Sequence, residues 1–564
     1  MTARGPRWGL ISSAVATCLL TTAAAVPAAA APTSPTGTPP LTETVASSAL
    51  AGWSDSQWGD DDTREDERAS RLTGKWDAKK DLGSMYSTTR STRAQDLWSI
   101  PAPGSRRKLT GTGVGVALID TGVAPVEGLA TPGKLVYGPD LSFESQTPGT
   151  RDVDGYGHGT HMAGIIAGRD SDVRTGEERS EKNFVGMAPD ATLVSVKVGA
   201  ADGGADLTQV IAAIDWVVAH RADHNIRVLN LSYGLDSAQP ATRDPLAHAV
   251  ENAWRAGIVV VAAAGNDGEA GATRLTMPAV DPYVVAVGSS DHRGSPDRKH
   301  TRVGAWTNDG TPERRPDLIA PGKSVVSLRV PGALADVTHP EGRVTGDRDQ
   351  RLFRGTGTSQ SAAVVSGAAA LLIQADPTLS PDQIKTALTA SADPLKNSKD
   401  LTQGAGVLDV KGAYELVKDH QVGPALQQDY PVSTGLGTLE AARGGSHVVD
   451  PDNGIVLTGE QDIFGQPWDA PAWAQASAQH RSWSGGTWMG STWSGPSWSG
   501  TSWSSASWSR RSWSGVDWSR RSWSQAQWSR RSWSADDFSR RSWSADNFSR
   551  RSWSTGRWET PDTW

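Results

Sequence analysis

The sequence predicts an α/β fold, a mostly parallel β-sheet flanked by helices on both faces, followed by a low-complexity aromatic repeat tail. Three observations carry that expectation. Between about residues 85 and 420, short β-branched runs alternate with helix-periodic segments, the order that lays parallel strands between helices. Those runs are apolar almost throughout, as strands buried on both faces are. Beyond residue 481 this texture stops, and tryptophans recur at a fixed short spacing among serines and arginines.

A chain of 564 residues has room for two or three regions. Residues 1–31 read as a signal peptide: Arg4 and Arg7 make a positive start, an apolar stretch follows, and alanines up to Ala31 offer A-x-A cleavage sites. The chain is therefore expected to be secreted, extracellular or associated with the cell envelope. No second apolar run of membrane length follows, so the mature chain should have no transmembrane segment. Cys18, the one cysteine, lies inside the apolar stretch, so the mature chain would carry neither thiol nor disulfide. Residues 32–84, rich in Pro, Ser, Thr and charge and including "DDDTREDER" at 60–68, read as a polar flexible extension.

In the predicted body, "VGVALID", "TLVSVKV", "RVLNLS", "IVVVAAAG" and "YVVAVGS" look like buried strands. Between them, "LTQVIAAIDWVVAHRAD", "PLAHAVENAWRAG" and the segment after Ser359 carry helical periodicity. Ser380-Pro381 with Gln383 marks a capped helix start. Residues 421–480 read as a connector. From Trp483, aromatics recur every five positions, through Trp488 and Trp493 to Phe548 and Trp558. From Arg510 the unit is a decad such as "RRSWSGVDWS". A period of five matches neither a helical stripe nor strand alternation. Residues 481–564 are therefore expected to be irregular chain or a coiled repeat, with a β-solenoid as the alternative. The net charge of −7 is divided unevenly: residues 481–564 carry twelve arginines, no lysine and six acids, which leaves −13 for the rest. An acidic body and a basic aromatic tail imply two separate physical jobs.

In open parallel sheets, reactive groups collect beyond the carboxyl ends of strands. Four polar residues stand at such places. Asp120 ends "VGVALID", His158 stands in "DGYGHGTHMAGIIAG" before a helix, Asn266 follows "VVVAAAG", and Ser359 enters a helix in "RGTGTSQSAAVVSG". Each has a plain alternative: a strand-end turn former, a helix-entry residue, a turn residue before Asp267-Gly268, and an N-cap. Together they supply a carboxylate to orient an imidazole, an imidazole to take a hydroxyl proton, the hydroxyl, and an amide donor for an oxyanion.

"VALIDTGV", "GHGTHMAG", "AAAGNDG" and "GTGTSQSAA" resemble the four signature blocks of the subtilisin-like serine peptidases, or subtilases, in the family's order of Asp, His and Ser. "GMAPDATLVSVKV", "VLNLSYG" and "RPDLIAPGKSV" are similar too, so the resemblance covers residues 85–420. It implies the subtilisin-like three-layer fold and a secreted serine endopeptidase that works through an acyl-enzyme. It casts Asp120 as the orienting carboxylate, His158 as the base, Ser359 as the nucleophile and Asn266 as the oxyanion donor. His161 matches a family histidine that is not the base. The nucleophile block departs from the usual Ser-Met-Ala-x-Pro-His: Gln360 replaces an oxidisable thioether and Ala363 a proline.

The resemblance also implies polypeptide substrates held in extended conformation between two backbone edges. Gly203, Gly204 and Ala205 would form one edge and Ser232, Tyr233 and Gly234 the other, with Ala263, Ala264 and Gly265 walling a pocket for a bulky apolar side chain. No cofactor is required for the chemistry. A structural calcium is compatible with the family, but Asp152, Asp154 and Asp202 read as loop acids and no metal ligand is assigned. The family's compact propeptide has at most a degenerate counterpart in residues 32–84. Evenly spaced indoles with arginine pairs suit stacking on sugars or contact with a cell wall or anionic surface; the plain alternative is a spacer. No nucleic acid partner is expected. The competing reading of the whole is an inactive or weakly active scaffold that presents the tail to the envelope.

Overall fold

The β-branched runs become the strands of one sheet in a computed structural model, which describes residues 76–145, 150–293, 298–396, 400–423, 428–448, 456–463 and 466–492. In chain order these are β1 (Gly115–Asp120), β2 (Leu135–Asp140), β3 (Thr192–Lys197), β4 (Ile226–Leu231), β5 (Val259–Ala263) and β6 (Val285–Asp291). Across the sheet the order is β2-β3-β1-β4-β5-β6, with every neighbour parallel. The short β7 (Arg302–Val303) pairs antiparallel with β6, and β8 (Leu318–Pro321) pairs parallel with it. A separate hairpin joins β9 (Val325–Leu328) and β10 (Leu352–Gly355). Every residue of β1 and β5 is buried. Each valine among Val259–Val261 therefore contributes about 1.5–3 kcal/mol of apolar burial. β2, which the sequence pattern does not reveal, is half-buried along most of its length, so it lacks the apolar run that marks its neighbours.

Helices cover both faces, as the sequence predicts. Those that matter here are α1 (His158–Ala167), α2 (Leu207–Ala219), α3 (Pro245–Arg255), α4 (Thr358–Ala375) and α5 (Pro381–Ala390). α1 packs on α4, and α2 on α3. Nearly every residue of α4 is buried, as expected of a helix with apolar or small residues on all sides. Gly367 lets it approach closely, since a Cβ there would stand 2.4 Å from the Met187 Cβ. Ser380 and Gln383 form the expected capping box at α5.

Two segments differ from the expectation. Residues 76–84, assigned to the extension, pack on the body: Trp76 is buried and its indole donates to Asp81, whose carboxylate takes a two-pronged bond from Arg354 at 2.7 and 2.9 Å. The connector and the first repeats also fold back on the body. α6 (Leu439–Arg443) brings Arg443, fully buried, to Asp206 at 2.8 Å. α7 (Ala470–Ala478) brings Trp473 and Ser477 to Asp215 on α2.

Trp483 and Trp488 are buried as well, and the Trp488 indole donates to the same Asp215 at 2.9 Å. They belong to three strands of two residues each, Trp483–Ser484, Thr487–Trp488 and Ser491–Thr492, with Trp483 opposite Trp488. Gly485 and Gly486, then Met489 and Gly490, all have positive φ, as two-residue hairpin turns require. A five-residue period is thus the spacing of cross-strand partners around such a turn, which a single strand or helix cannot display. Residues 1–31, read from the sequence as a signal peptide, Cys18 among them, residues 32–75 and residues 493–564 lie outside the described residues.

Candidate active site

Asp120 is the last residue of β1, directly after five buried residues, and His158 is the first of α1. The fold brings these residues, 38 apart in sequence, into one buried contact. His158 Nδ1 lies 2.8 Å from Asp120 Oδ1 and 3.0 Å from Oδ2, with both side chains excluded from solvent. Asp120 Oδ1 also accepts the Thr121 amide at 2.8 Å, which holds the carboxylate on the strand end. His161, one turn along, faces away: its Nε2 meets the Phe353 carbonyl at 3.2 Å, and burial, then His158, push it down to about 3. It is a neutral packing residue, as expected. It also ties α1 to β10, the strand that runs toward Ser359.

Three residues that the sequence alone does not single out hold this pair in place. Asp154, fully buried, accepts four hydrogen bonds, from Thr121 Oγ1 (2.8 Å), Gly157 N (2.6 Å), Thr160 N (2.7 Å) and Thr160 Oγ1 (2.6 Å). Thr121 Oγ1 accepts in turn from Gly159 N at 2.9 Å, and Thr160 Oγ1 accepts from Ala124 N at 2.9 Å. Burial pushes the Asp154 carboxyl up while its four donors resist. The entrance of α1 is therefore fastened to the exit of β1. Asp152, Asp154 and Asp202 do not converge on an ion site. Asp154 is fully used by these donors and Asp202 accepts from Gly204 N. Among the described residues no group of three acidic, histidine or cysteine side chains could hold a metal.

Ser359 is buried and lies one residue inside α4. The cap position belongs to Gly357, which offers no side chain, so the hydroxyl of Ser359 is not the helix's cap. Asn266, just past β5, accepts from Thr358 N (2.8 Å) and Thr358 Oγ1 (3.0 Å) through its Oδ1. That pairing settles the orientation of the amide and turns its donor end away from Thr358. Both amide atoms lie 3.4 Å from where a Cβ on Gly357 would stand, so they border the backbone that leads to Ser359. Gln360 is buried, and among the described residues neither end of its amide has a hydrogen-bond partner. Ser361 is committed elsewhere, donating to Ala320 O at 2.9 Å.

Hydrogen bonds link several of the residues expected to line the cleft. Ser232 Oγ donates to the Ser359 carbonyl at 3.3 Å. The Tyr233 hydroxyl donates to Ala205 O at 3.4 Å, linking the two expected edges. Gly203 and Gly204 sit in a tight turn closed on Ala200. Gly234 has no room for a side chain, since a Cβ there would stand 2.5 Å from Thr276 Oγ1. Ala263 and Ala264 are buried at the end of β5, and Gly265, with φ of 115°, receives the Asn308 amide at 3.2 Å and donates to Thr358 Oγ1 at 3.3 Å.

A serine at a helix entrance, an imidazole at a neighbouring helix entrance and a carboxylate at a strand end are the layout of a serine hydrolase on a parallel sheet. Comparison with known proteins narrows the class. Residues 111–409 match the subtilase family, peptidase S8. The chain is 33% identical to the serine protease AprX of Bacillus subtilis over 313 residues, 54% of this chain and 67% of that protein. It is also 33% identical to subtilisin DY of Bacillus licheniformis over 305 residues, 54% of this chain and 91% of that one. Fervidolysin from Fervidobacterium pennivorans, a solved structure, aligns with 62% of this chain and 48% of its own at 23% identity and a TM-score of 0.45. The chain belongs to the subtilase family and is a serine endopeptidase.

Proposed function

We propose that this protein is exported and hydrolyses peptide bonds of polypeptides bound in extended conformation, through an acyl-enzyme on Ser359. His158 takes the Ser359 proton as the hydroxyl attacks the scissile carbonyl, and returns it to the departing amine. Asp120 holds the ring in the tautomer with the proton on Nδ1 and stabilises the imidazolium that forms. Asn266, with its carbonyl end tied to Thr358, directs its N–H toward the charge that develops on the carbonyl oxygen. Water then repeats the sequence and releases the acid product. The observation that supports this most is the buried 2.8 Å contact between His158 and Asp120, two polar side chains that the end of an apolar central strand has no structural need to bring together.

Gly203–Ala205 and Ser232–Gly234 serve as the two edges that hold the substrate backbone, and Ala263–Gly265 leave space for a bulky apolar side chain beside the cut bond. Export rests on the n-region and alanine-rich stretch of residues 1–31. Among the described residues no helix is long and apolar enough to cross a membrane. A fluorophosphonate probe should label the purified protein, and Ser359→Ala should abolish both labelling and peptide hydrolysis. Labelling that survives Ser359→Ala refutes the assignment of the nucleophile. A peptide panel cut only after basic residues refutes the apolar pocket.

A further inference from the structure

Lys197 ends β3 in register with Asp120, the end of β1. Its side chain is 1% exposed, and all three ammonium protons are used. Nζ donates to Glu144 Oε2 at 2.6 Å, to Val153 O at 2.7 Å and to Thr150 O at 2.9 Å. A carboxylate and two main-chain carbonyls around one positive centre are the hard oxygen ligands that cations take. Taking an ammonium out of water costs several kcal/mol unless its geometry is nearly complete, and here it is complete. Burial works against the charge, yet Glu144 and Asp140 hold Lys197 above its ordinary value, so it remains an ammonium.

The groups it ties belong to three separate parts of the cleft. Thr150 and Val153 lie on the loop that leads through Asp154 to His158. The second oxygen of Glu144 accepts Ala201 N at 2.8 Å, at the turn that presents Gly203–Ala205. The lysine stem passes Gly122, where a Cβ would stand 3.1 Å from Lys197 Cδ. The Gly122 carbonyl lies in turn against Gly159, only 2.0 Å from where a Cβ there would stand. We infer that Lys197 is a positioning residue, an internal cation that fastens the His158 loop and the 199–205 edge to the end of the Asp120 strand in the place a structural metal ion would otherwise take.

The inference rests on the peptidase reading, and its test separates the two. Full-length wild type, Lys197→Met and Glu144→Gln are compared for fluorophosphonate acylation rate, for kcat and KM on a peptide substrate from pH 5 to 10, and for folding by circular dichroism. Lys197→Met should lose about 10²-fold in kcat/KM, the scale of a 1 Å misplacement, with the loss in kcat. That loss in kcat should hold at every pH from 5 to 10, with KM within about twofold of wild type and the circular dichroism unchanged. A defect confined to folding would instead show in the circular dichroism and scale the activity with the folded fraction. Glu144→Gln keeps an acceptor for Ala201 and should lose about tenfold; it decides the matter if Lys197→Met does not fold. A folded Lys197→Met within threefold of wild type overturns the inference, as does Glu144→Gln within twofold. Wild type that never reacts with the probe overturns the peptidase reading instead.

Discussion

Asp154→Asn changes one oxygen for an NH₂ of the same size at the joint between β1 and α1. Both carboxylate oxygens accept two donors each: Oδ1 from Thr121 Oγ1 and Gly157 N, and Oδ2 from Thr160 N and Oγ1. Whichever way the amide turns, its NH₂ faces one hydroxyl that can rotate and one backbone N–H that cannot. One buried donor is left unsatisfied, which costs about 1–3 kcal/mol. Loss of charge on the remaining bonds brings the total to about 2–4 kcal/mol. The same joint sets where His158 stands relative to Asp120, so acylation should slow by about 10²-fold if the ring moves by about 1 Å. Urea denaturation gives the first number, and the second-order rate of fluorophosphonate labelling gives the second. A variant within about 0.5 kcal/mol of wild type and labelled within twofold of its rate refutes the claim that Asp154 positions the histidine.

Other outcomes follow from the same geometry. Arg443→Ala leaves the buried Asp206 without its counter-charge, and loss of one partner of a buried pair costs about 3–5 kcal/mol. A chemical-denaturation loss below about 1 kcal/mol would remove the folded-back segment from the stable body. Asp152, on the loop before His158, is pushed up to about 7 by burial and by Asp140. Its folded form holds a proton more tightly than the unfolded chain, so its contribution is present below pH 4 and is lost as the pH rises through 7. Asp152→Asn should therefore melt higher than wild type at pH 8, with the gap closing by pH 4; a gap that widens in acid contradicts this. Asn266→Leu should lower kcat by roughly 10²–10³ with little change in KM, a range whose reference case is itself a subtilisin and is carried over to this chain. A loss seen mainly in KM would make Asn266 a binding residue.

The strands of the body were legible because buried parallel strands are written as apolar runs, and "VGVALID" or "IVVVAAAG" cannot be solvated on either face. Ser380 and Gln383 were legible because a capping box is purely local. Asp120, His158, Asn266 and Ser359 stood out as polar residues at strand and helix ends. Asp154 and Lys197 did not, because their importance lies in donors and acceptors that converge from residues 121 to 201. In sequence they are a loop acid and one lysine among many. The Trp483–Trp488 hairpin was illegible for a related reason. Its partner is Asp215, a carboxylate on α2 that takes two indole N–H groups and the Ser477 hydroxyl. Residues 76–84 looked polar because their one large apolar anchor, Trp76, is surrounded by charge, while Asp81 answers Arg354 far along the chain.

The measurement that bears most directly on the central claim is peptide mapping of the fluorophosphonate adduct on the full-length protein, in wild type and in His158→Ala. The adduct is expected on Ser359 alone, with labelling reduced by several orders of magnitude in the variant. An adduct on Ser361, or labelling that proceeds equally well without His158, contradicts the account.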